Sequence, residues 1–319
     1  MKTSNHLLRR LTAALLAAVL ALSIALPVFA SDDGDTIYIN SVSDLLSLAR
    51  NCAYDQWSVG KTVILQKDLS LEGMLWEPIP SFSGQFKGNG HTISDLTITG
   101  QYSPAGLFGI VEEQGSIESL SVRGVVSVSD SADTTTGGIV GVNHGTLINC
   151  QFTGVVTGDS EVGGIVGRNE SEGTIDHSTA RAIVTGKSST GGIAGYNLGA
   201  ITGCTNVGSI NTEYPEASLD TDGFTAKMVD YINNKMAAAD NDATNSVTNV
   251  ATDTGGIAGR SSGMILTSVN TGTIGYEHVG YNVGGIVGRT DGLVSGCVNQ
   301  GRVLGRKDVG GIAGQAEPY

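Results

Sequence analysis

The chain is poor in basic residues, and after its first thirty positions it has no long apolar run. Its 319 residues include 18 Lys and Arg against 31 Asp and Glu, a formal net charge of −13. Nucleic acids and anionic lipid surfaces bind proteins through clustered Lys and Arg, so this charge argues against both as partners. The lack of a second apolar stretch argues against membrane insertion of the mature chain.

The first thirty residues have the features of a secretory signal peptide. Three basic residues in the first ten are followed by a nearly continuous apolar stretch at 11–26, and a Val-Phe-Ala site ends at Ala30. An uncleaved membrane anchor is the alternative, but the well-formed cleavage site favours a signal peptide at 1–30. We therefore expect a mature chain of 31–319 that is secreted or displayed at the cell surface.

A repeated pentapeptide, Gly-Gly-Ile-Val/Ala-Gly, organises the second half of the chain. Its six copies start 26, 28, 64, 29 and 26 residues apart, and a divergent seventh precedes them at 106–109. The six copies lie at 137–141, 163–167, 191–195, 255–259, 284–288 and 310–314. A fixed period in this range indicates an array of stacked units, each too small to bury its own apolar face.

Each unit is predicted to contain three short strands separated by turns. The pentapeptide is expected to form the first strand, and a turn rich in Asn, Ser, Thr, Asp and Gly follows it. Further along, residues alternate with period two, as in Cys204, Asn206, Gly208 and Ile210, which is typical of one face of a strand. Because the units show no helical periodicity, we expect an all-β fold, a right-handed parallel β-helix or solenoid.

Two sets of side chains are expected to form columns, in which successive turns place equivalent residues above one another. Asn206, Asn270 and Asn299 share a slot and can hydrogen-bond along the stack. The alternative is that these asparagines serve turn formation alone. Either way, their role is structural.

Cysteines occupy a second slot, where they alternate with serine. Cys150, Cys204 and Cys297 share it, and Ser178 and Ser268 fill it in the turns between them. Equivalent residues two turns apart are separated by about 9–10 Å, beyond the ~7 Å limit between the Cα atoms of a disulfide. We therefore expect all four cysteines of the chain to be free thiols.

An N-terminal capping segment is expected at about 36–90. It contains a capping box at 41–44, followed by Leu45 and Leu48 at helical spacing. A short amphipathic helix here would cover the first coil, whose open strand edges would otherwise be exposed to other chains.

A helical insertion is expected at about 212–252, within the 64-residue gap between two pentapeptides. Phe224, Met228 and Met236 recur there at helical spacing, which favours a helix packed on the flank of the stack. The last pentapeptide opens a unit that stops at Tyr319. We therefore expect that the β-helix domain, 31–319, is truncated at its C-terminus and belongs to a longer polypeptide.

The repeats resemble the GLUG-motif family of bacterial surface proteins, which is named for a Gly-Leu-hydrophobic-Gly pentapeptide. The segment WEPIP…FSGQFKGNGHTISDLTI also resembles the leader of these proteins, and the resemblance covers roughly 36–314 apart from the insertion. It implies an exported, surface-associated β-helix, typical of Gram-positive bacteria. The family also forms part of streptococcal immunoglobulin A-specific metallopeptidases, whose protease chemistry lies in a separate zinc domain.

The peptidase activity of those relatives is not expected here. The chain has no His-Glu-x-x-His motif, and none of its histidines are paired at i and i+4. These histidines are His6, His91, His144, His177 and His278. We predict no catalytic, cofactor-binding or metal-binding residues.

Four local patterns contain residue types that occur in functional sites. His91 is interpreted as a turn residue. Asp176, His177 and Ser178 have the residue types of a catalytic triad, but neighbours on a strand face opposite sides and are not expected to converge. The acidic stretches at 32–35 and 240–242 lack the spacing of a dedicated calcium loop.

Arginines form the last pattern, because Arg168, Arg260 and Arg289 share one slot after the pentapeptide. Val142 and Tyr196 occupy the same slot in other turns. A column of arginines can recognise anionic glycans, although a solvated surface column is the favoured interpretation.

These observations predict a stalk or adhesin-like binding module without catalysis. Its partner would be a host or matrix protein or a glycan. One alternative is a glycan-active β-helix enzyme, a lyase or hydrolase. The other is the non-catalytic N-terminal region of a larger surface peptidase.

Overall fold

The protein is a parallel β-solenoid in which each full turn of the chain contributes four strands. This architecture is seen in a computed structural model, which describes residues 35–54, 56–128, 134–212 and 251–317. The predicted signal peptide at 1–30 and nearly all of the predicted insertion at 212–252 lie outside the described residues. The predictions of an all-β fold and of parallel stacking are confirmed.

Four sheets run along the solenoid, and we number them in the order in which a full turn passes through them. Sheet 1 comprises Thr136–Gly137, Ser160–Gly163, Ser188–Gly191, Thr252–Gly255, Tyr281–Gly284 and Lys307–Gly310. Sheet 2 comprises Ile79–Phe82, Phe108–Val111, Val140–Asn143, Val166–Asn169, Ala194–Asn197, Ala258–Ser261, Val287–Thr290 and Ala313–Ala316. Sheet 3 comprises Thr36–Ile39, Thr62–Leu65, Gln85–Lys87, Ser116–Glu118, Thr146–Ile148, Thr174–Asp176, Ala200–Thr202, Met264–Leu266 and Leu293–Ser295. Sheet 4 comprises Leu69–Ser70, Thr92–Gly100, Ser121–Val128, Gln151–Thr157, Thr179–Thr185, Thr205–Asn206, Ser209–Ile210, Val269–Asn270 and Val298–Asn299.

The pentapeptide forms a corner between two strands, so the prediction of three strands per unit is wrong. In the copy at 137–141, Thr136–Gly137 belongs to sheet 1 and Val140–Asn143 to sheet 2. The second glycine and the isoleucine between them make the bend, and Ile139 is fully buried. A pattern of apolar residues cannot by itself distinguish such a corner from a short buried strand.

The corner requires glycine because successive turns touch there through their backbones. A Cβ atom on Gly192 would lie 2.2 Å from the carbonyl oxygen of Gly256, one turn further on, and 2.4 Å from Cγ of Asn206. A Cβ on Gly195 would lie 2.2 Å from the backbone carbon of Glu161. These distances are far below van der Waals contact, so only hydrogen fits at either position.

Replacing Gly192 by alanine should therefore destabilise the protein. The new methyl group meets backbone atoms that cannot move independently, and we expect the free energy of unfolding to fall by about 3 kcal/mol, the upper end for overpacking. Gly311 holds the same place in its own pentapeptide, but a Cβ atom added there would have no other atom within 4 Å. Gly311→Ala is thus the matched control and should change stability by less than about 0.5 kcal/mol in urea unfolding. Equal effects of the two substitutions would contradict the steric account.

Helix α1, Val42–Asn51, is the helix expected within the N-terminal segment. Ser41 is its N-cap, and the backbone N–H of Asp44 donates to the Ser41 hydroxyl, as the capping box predicts. The helix lies against the strands Thr36–Ile39 and Ile79–Phe82 and buries Leu45 and Leu48.

The first turns have the bulkiest core. Phe82, Phe86 and Phe108 are fully buried, and their ring centroids lie 5.4 to 6.3 Å apart. Trp76 is also buried, and its indole nitrogen donates to the carbonyl oxygen of Leu107 at 3.1 Å. Aromatic pairs at these separations stabilise the packing beyond the area they bury. Later turns replace this bulk by Ile, Val and Ala and by buried polar columns.

Asparagine side chains form two hydrogen-bonded ladders inside the solenoid. In sheet 4, Asn206 Nδ2 donates to Asn270 Oδ1, and Asn270 Nδ2 donates to Asn299 Oδ1, both at 2.8 Å. This confirms the predicted column. In sheet 2, Asn143 donates to Asn169 and Asn169 to Asn197, again at 2.8 Å, and Asn197 continues to the Ser261 hydroxyl at 3.0 Å. The sequence does not reveal this second ladder. Its asparagines are assigned to the polar loops that follow the pentapeptides, and each does also donate a hydrogen bond to a glycine carbonyl of its own loop.

Removing one rung should cost more than losing one hydrogen bond. Asn169→Ala leaves the Asn143 donor and the Asn197 acceptor buried without their partner, so we expect a loss of about 2–4 kcal/mol in unfolding free energy. Ser171→Ala, an exposed position in the following turn, is the control and should have an effect below about 0.5 kcal/mol. If the two substitutions were equivalent in thermal and urea unfolding, the ladder would not be a stabilising element.

Candidate functional site

The arginine slot forms a continuous column on the outer face of sheet 2. Parallel pairing places Val142, Arg168, Tyr196, Arg260 and Arg289 next to one another in this order. Neighbouring members are one strand spacing apart, about 4.8 Å. The predicted column is therefore confirmed as a geometric feature.

Carboxylates neutralise two of the three arginines. Arg168 Nη1 and Nε lie 2.6 Å from Glu161 Oε1 and Glu170 Oε1, respectively. Burial alone would lower the pKa of Arg168, but the hydrogen bond from its side chain to Glu170 and the charges of both glutamates raise it. Arg289 forms an ion pair with Glu317.

Tyr196 separates Arg168 from the remaining arginine, Arg260. Their guanidinium carbons lie 4.9 Å and 5.2 Å from the centre of its ring, within range of cation–π attraction. Among the described residues, Arg260 is the member of the three arginines that forms no ion pair. The observed contacts of the column are therefore mainly internal.

A shallow cavity lies at the corner between sheets 3 and 4. It has a volume of about 120 Å³ and a mainly polar lining. The lining consists of Gly90, Ser119, Ser121, Asn149, Cys150, Gln151 and Thr179. No charged side chain belongs to it. The sequence does not predict this cavity, because its residues come from four successive turns and none carries a recognisable motif.

The corner beside the cavity is built on left-handed backbone. Ser119, Asn149 and His177 occupy one column and have φ angles of 52°, 52° and 46°. Non-glycine residues rarely adopt this region, and asparagine tolerates it best. The sharp bend lets the next residue of each turn point inward, while Ser121, Gln151 and Thr179 face outward from sheet 4.

The residues Asp176, His177 and Ser178 do not form a triad, but the reason expected from strand alternation is wrong. His177 Nδ1 lies 2.9 Å from Asp176 Oδ2, so these neighbours do converge. They can do so because His177 has positive φ and leaves the strand, which ends at Asp176. Ser178 turns inward instead: its hydroxyl is buried and donates to the Asp176 carbonyl oxygen at 3.1 Å. The nucleophile and base of a serine hydrolase are therefore not assembled here.

His91 lies at a turn, in agreement with its interpretation from the sequence. Its backbone N–H donates to the Gly88 carbonyl oxygen, and its Nδ1 lies 3.2 Å from Asp68 Oδ1. The backbone N–H of Thr92 also donates to Asp68, and this bond, followed by the one with His91, lowers the pKa of the Asp68 carboxyl. The Asp68 carboxylate thus bonds to both the side chain of His91 and the backbone of Thr92 and holds this turn in place.

No group of three His, Cys, Asp or Glu side chains that could hold a metal ion occurs among the described residues. The acidic stretch at 240–242 lies outside them, as does that at 32–35 apart from Asp35. Within the described ranges, no helix combines the length and the apolar character needed to cross a membrane.

All four cysteines are free thiols, as predicted. The alternation with serine is confirmed by contacts inside the solenoid: Cys150 N donates to the Ser178 hydroxyl at 3.1 Å, and Cys204 N to that of Ser268 at 3.2 Å. Burial raises the pKa of the Cys150 and Cys204 thiols to about 12. It raises the pKa of Cys52 to about 11.

Alkaline pH should destabilise the protein through these thiols. Their pKa values are higher in the folded state than in the unfolded chain, about 8.5, so their contribution is intact below about pH 8.5 and is lost as pH rises towards 12. We expect urea midpoints to fall between pH 8 and pH 10.5. In Cys150→Ser/Cys204→Ser, a change to the residue that fills the same slot in other turns, this fall should be smaller. An unchanged pH dependence in the double variant would contradict the assignment.

Comparisons with known proteins give two partial sequence relatives. Halomucin of Haloquadratum walsbyi is 31% identical over an alignment of 155 residues, and the match covers 44% of this chain and 2% of halomucin. A "Putative Gly-rich membrane protein" of Evansella cellulosilytica is 29% identical, over 31% of this chain and 16% of that protein. The chain thus spans only a small part of the length of either relative. No protein-family model matches the chain, and the resemblance to GLUG-motif proteins stays a prediction.

A solved structure shares the architecture. It is described as a "putative immunoglobulin A1 protease" from Bacteroides ovatus, and it superposes with a TM-score of 0.54 over 90% of this chain and 85% of that one. Sequence identity is 17%. At this level the likeness shows the fold alone, a β-solenoid, and carries no information on catalysis in this chain.

Proposed function

We propose that this protein is a secreted or cell-surface β-solenoid, a stalk or adhesin-like module that binds a partner and does not catalyse a reaction. Export would use the signal peptide at 1–30. The solenoid would wind to the right, and α1 would cover its first turn. The partner would be a glycan or a protein outside the cell.

One observation carries the proposal: the strands of all four sheets pair in parallel along the stack, with a register shift between Ile93 and Leu96 in sheet 4. Each outer slot is therefore repeated at about 4.8 Å from turn to turn. Solenoids use such long, shallow faces for recognition.

The sequence relatives favour a location outside the cytoplasm. One is named a mucin and the other a membrane protein. The negative charge of the chain suits an exposed surface protein, because it keeps such a protein soluble and disfavours nonspecific binding to nucleic acid.

A catalytic role is the second candidate, and the fold likeness to a protein described as a protease is the observation that keeps it open. Against it stands the geometry of the two His–Asp pairs. His177 has its serine neighbour turned inward, and His91 uses Asp68 to close a turn. A further alternative is the non-catalytic N-terminal region of a larger surface peptidase, which would share the binding role proposed here.

The proposal predicts binding without turnover. The chain from 31 onwards, incubated with acidic and neutral polysaccharides and with immunoglobulin A, should release no products in the presence or absence of calcium or zinc. Binding is followed on an array of immobilised glycans and matrix proteins, and products by chromatography and gel electrophoresis. His91→Gln and Asp176→Asn serve as matched variants. Cleavage that survives repurification and disappears in either variant would overturn the non-catalytic assignment, and a protein that binds nothing on the array would contradict the binding role.

A further inference from the structure

We infer that the cavity between sheets 3 and 4 is a binding subsite for one neutral sugar residue of a glycan. This rests on the proposed function, since it names the ligand class and the place of contact. The residues that would bind the sugar are Ser121, Asn149, Gln151 and Thr179.

Hydrogen-bonding groups that the protein itself does not use converge on this cavity. Asn149 makes one long side-chain bond, from Nδ2 to the Ser119 hydroxyl at 3.4 Å, and Gln151 makes one from Nε2 to the Thr153 hydroxyl at 3.3 Å. Their side-chain carbonyl oxygens have no partner among the described residues. The hydroxyls of Ser121 and Thr179 also form no hydrogen bond to other described residues. Two amides and two hydroxyls are thus available to a ligand.

The chemistry of these groups matches sugar hydroxyls. A sugar hydroxyl donates and accepts at once, and side-chain amides and hydroxyls offer both roles in return. Peptides are instead held by sheet edges or by apolar pockets, and the lining here has no large apolar side chain. The cavity therefore suits a polyhydroxylated ligand better than a peptide segment.

The lining favours a neutral sugar over an acidic one, because it contains no charged side chain that could pair with a uronate or a sulfate. Charges of both signs lie around it. Glu118 and Asp176 precede the corner, and Arg123 and Arg181 lie two residues further along the outward face of sheet 4. These opposite charges offset one another, so the polar lining itself determines the ligand class.

The size of the cavity limits it to a single residue. Its volume is about 120 Å³, where a single water needs about 10–15 Å³ on the same measure, and this leaves room for part of one sugar ring. The equivalent corner one turn further on has Gly203 in place of Asn149 and His177, so the site is not repeated in identical form. We expect a weak, millimolar interaction that gains strength only when several modules are displayed together.

Side-chain amide NMR signals provide a direct test. The uniformly ¹⁵N-labelled chain from 31 onwards is titrated with neutral oligosaccharides built from glucose, mannose, galactose or N-acetylglucosamine. At least one of these should shift the NH₂ signals of Asn149 and Gln151, because both amides would exchange water for sugar hydroxyls. Oligogalacturonate and an unstructured glycine–serine peptide are the comparison ligands and should leave both signals in place.

Paired variants connect the signals to the site. Gln151→Ala/Thr179→Val removes two of the four groups and should weaken binding about tenfold, as expected for two neutral hydrogen bonds. Thr205→Val is the matched control: Thr205 pairs with Thr179 in the next turn of sheet 4 but does not line the cavity. It should bind as the unaltered chain does. If the double variant does not fold, Thr179→Val alone, with its smaller expected loss, is compared with Thr205→Val.

The outcomes separate this inference from the proposed function. Neutral sugars that shift signals only elsewhere would overturn the subsite and leave the binding module standing. Shifts of Asn149 and Gln151 by oligogalacturonate alone, or by the peptide alone, would overturn the assigned ligand class. No shift with any neutral sugar, while the array shows a protein partner, would overturn the inference and keep the proposed function. No partner in either experiment would contradict both.

Discussion

The structure depends on backbone contact between successive turns at the glycine corner. Gly192 lies so close to Gly256 of the next turn that no side chain fits between them. Gly256 and Gly285 repeat this contact along the stack. Such an approach is possible in only one register, because a shift by one residue would bring the following isoleucine against the neighbouring backbone. The pentapeptide therefore sets both the distance and the register between successive turns, and this explains why it recurs while the surrounding sequence varies.

Register at the corner determines what the other sheets can contain. Once turns are aligned, asparagines in sheets 2 and 4 meet their equivalents at 2.8 Å and satisfy one another without water. Buried amides of this kind are costly when unpaired and stabilising when fully paired. The same alignment produces the outer columns, in which Arg168 and Arg260 both pack on Tyr196. The alignment of the turns therefore produces both the asparagine ladders inside the solenoid and the residue columns on its surface.

Much of this fold is predictable from the sequence, because columns depend only on period. The Cys150–Ser178–Cys204 alternation and the arginine slot follow from counting residues between pentapeptides, and both are found. Local conformation is harder to predict. A corner and a short strand share the same apolar pattern, so the pattern does not reveal the fourth strand. The convergence of Asp176 with His177 depends on one positive φ angle, which no spacing rule indicates. The cavity depends on side chains from four turns, and sequence alone does not show which of them leave hydrogen bonds unused.

The most direct test of this account is the nuclear Overhauser contact between ladder side chains in the folded protein. Side-chain amide protons of Asn169 should show cross-peaks to the amide groups of Asn143 and Asn197, its neighbours one turn before and one turn after. They should show none to Asn206, which belongs to the other ladder. That pattern would establish the register of the turns independently of the backbone. Cross-peaks that connect Asn169 to residues one or two positions away from Asn143 or Asn197 in sequence, or none between these asparagines, would contradict the central claim.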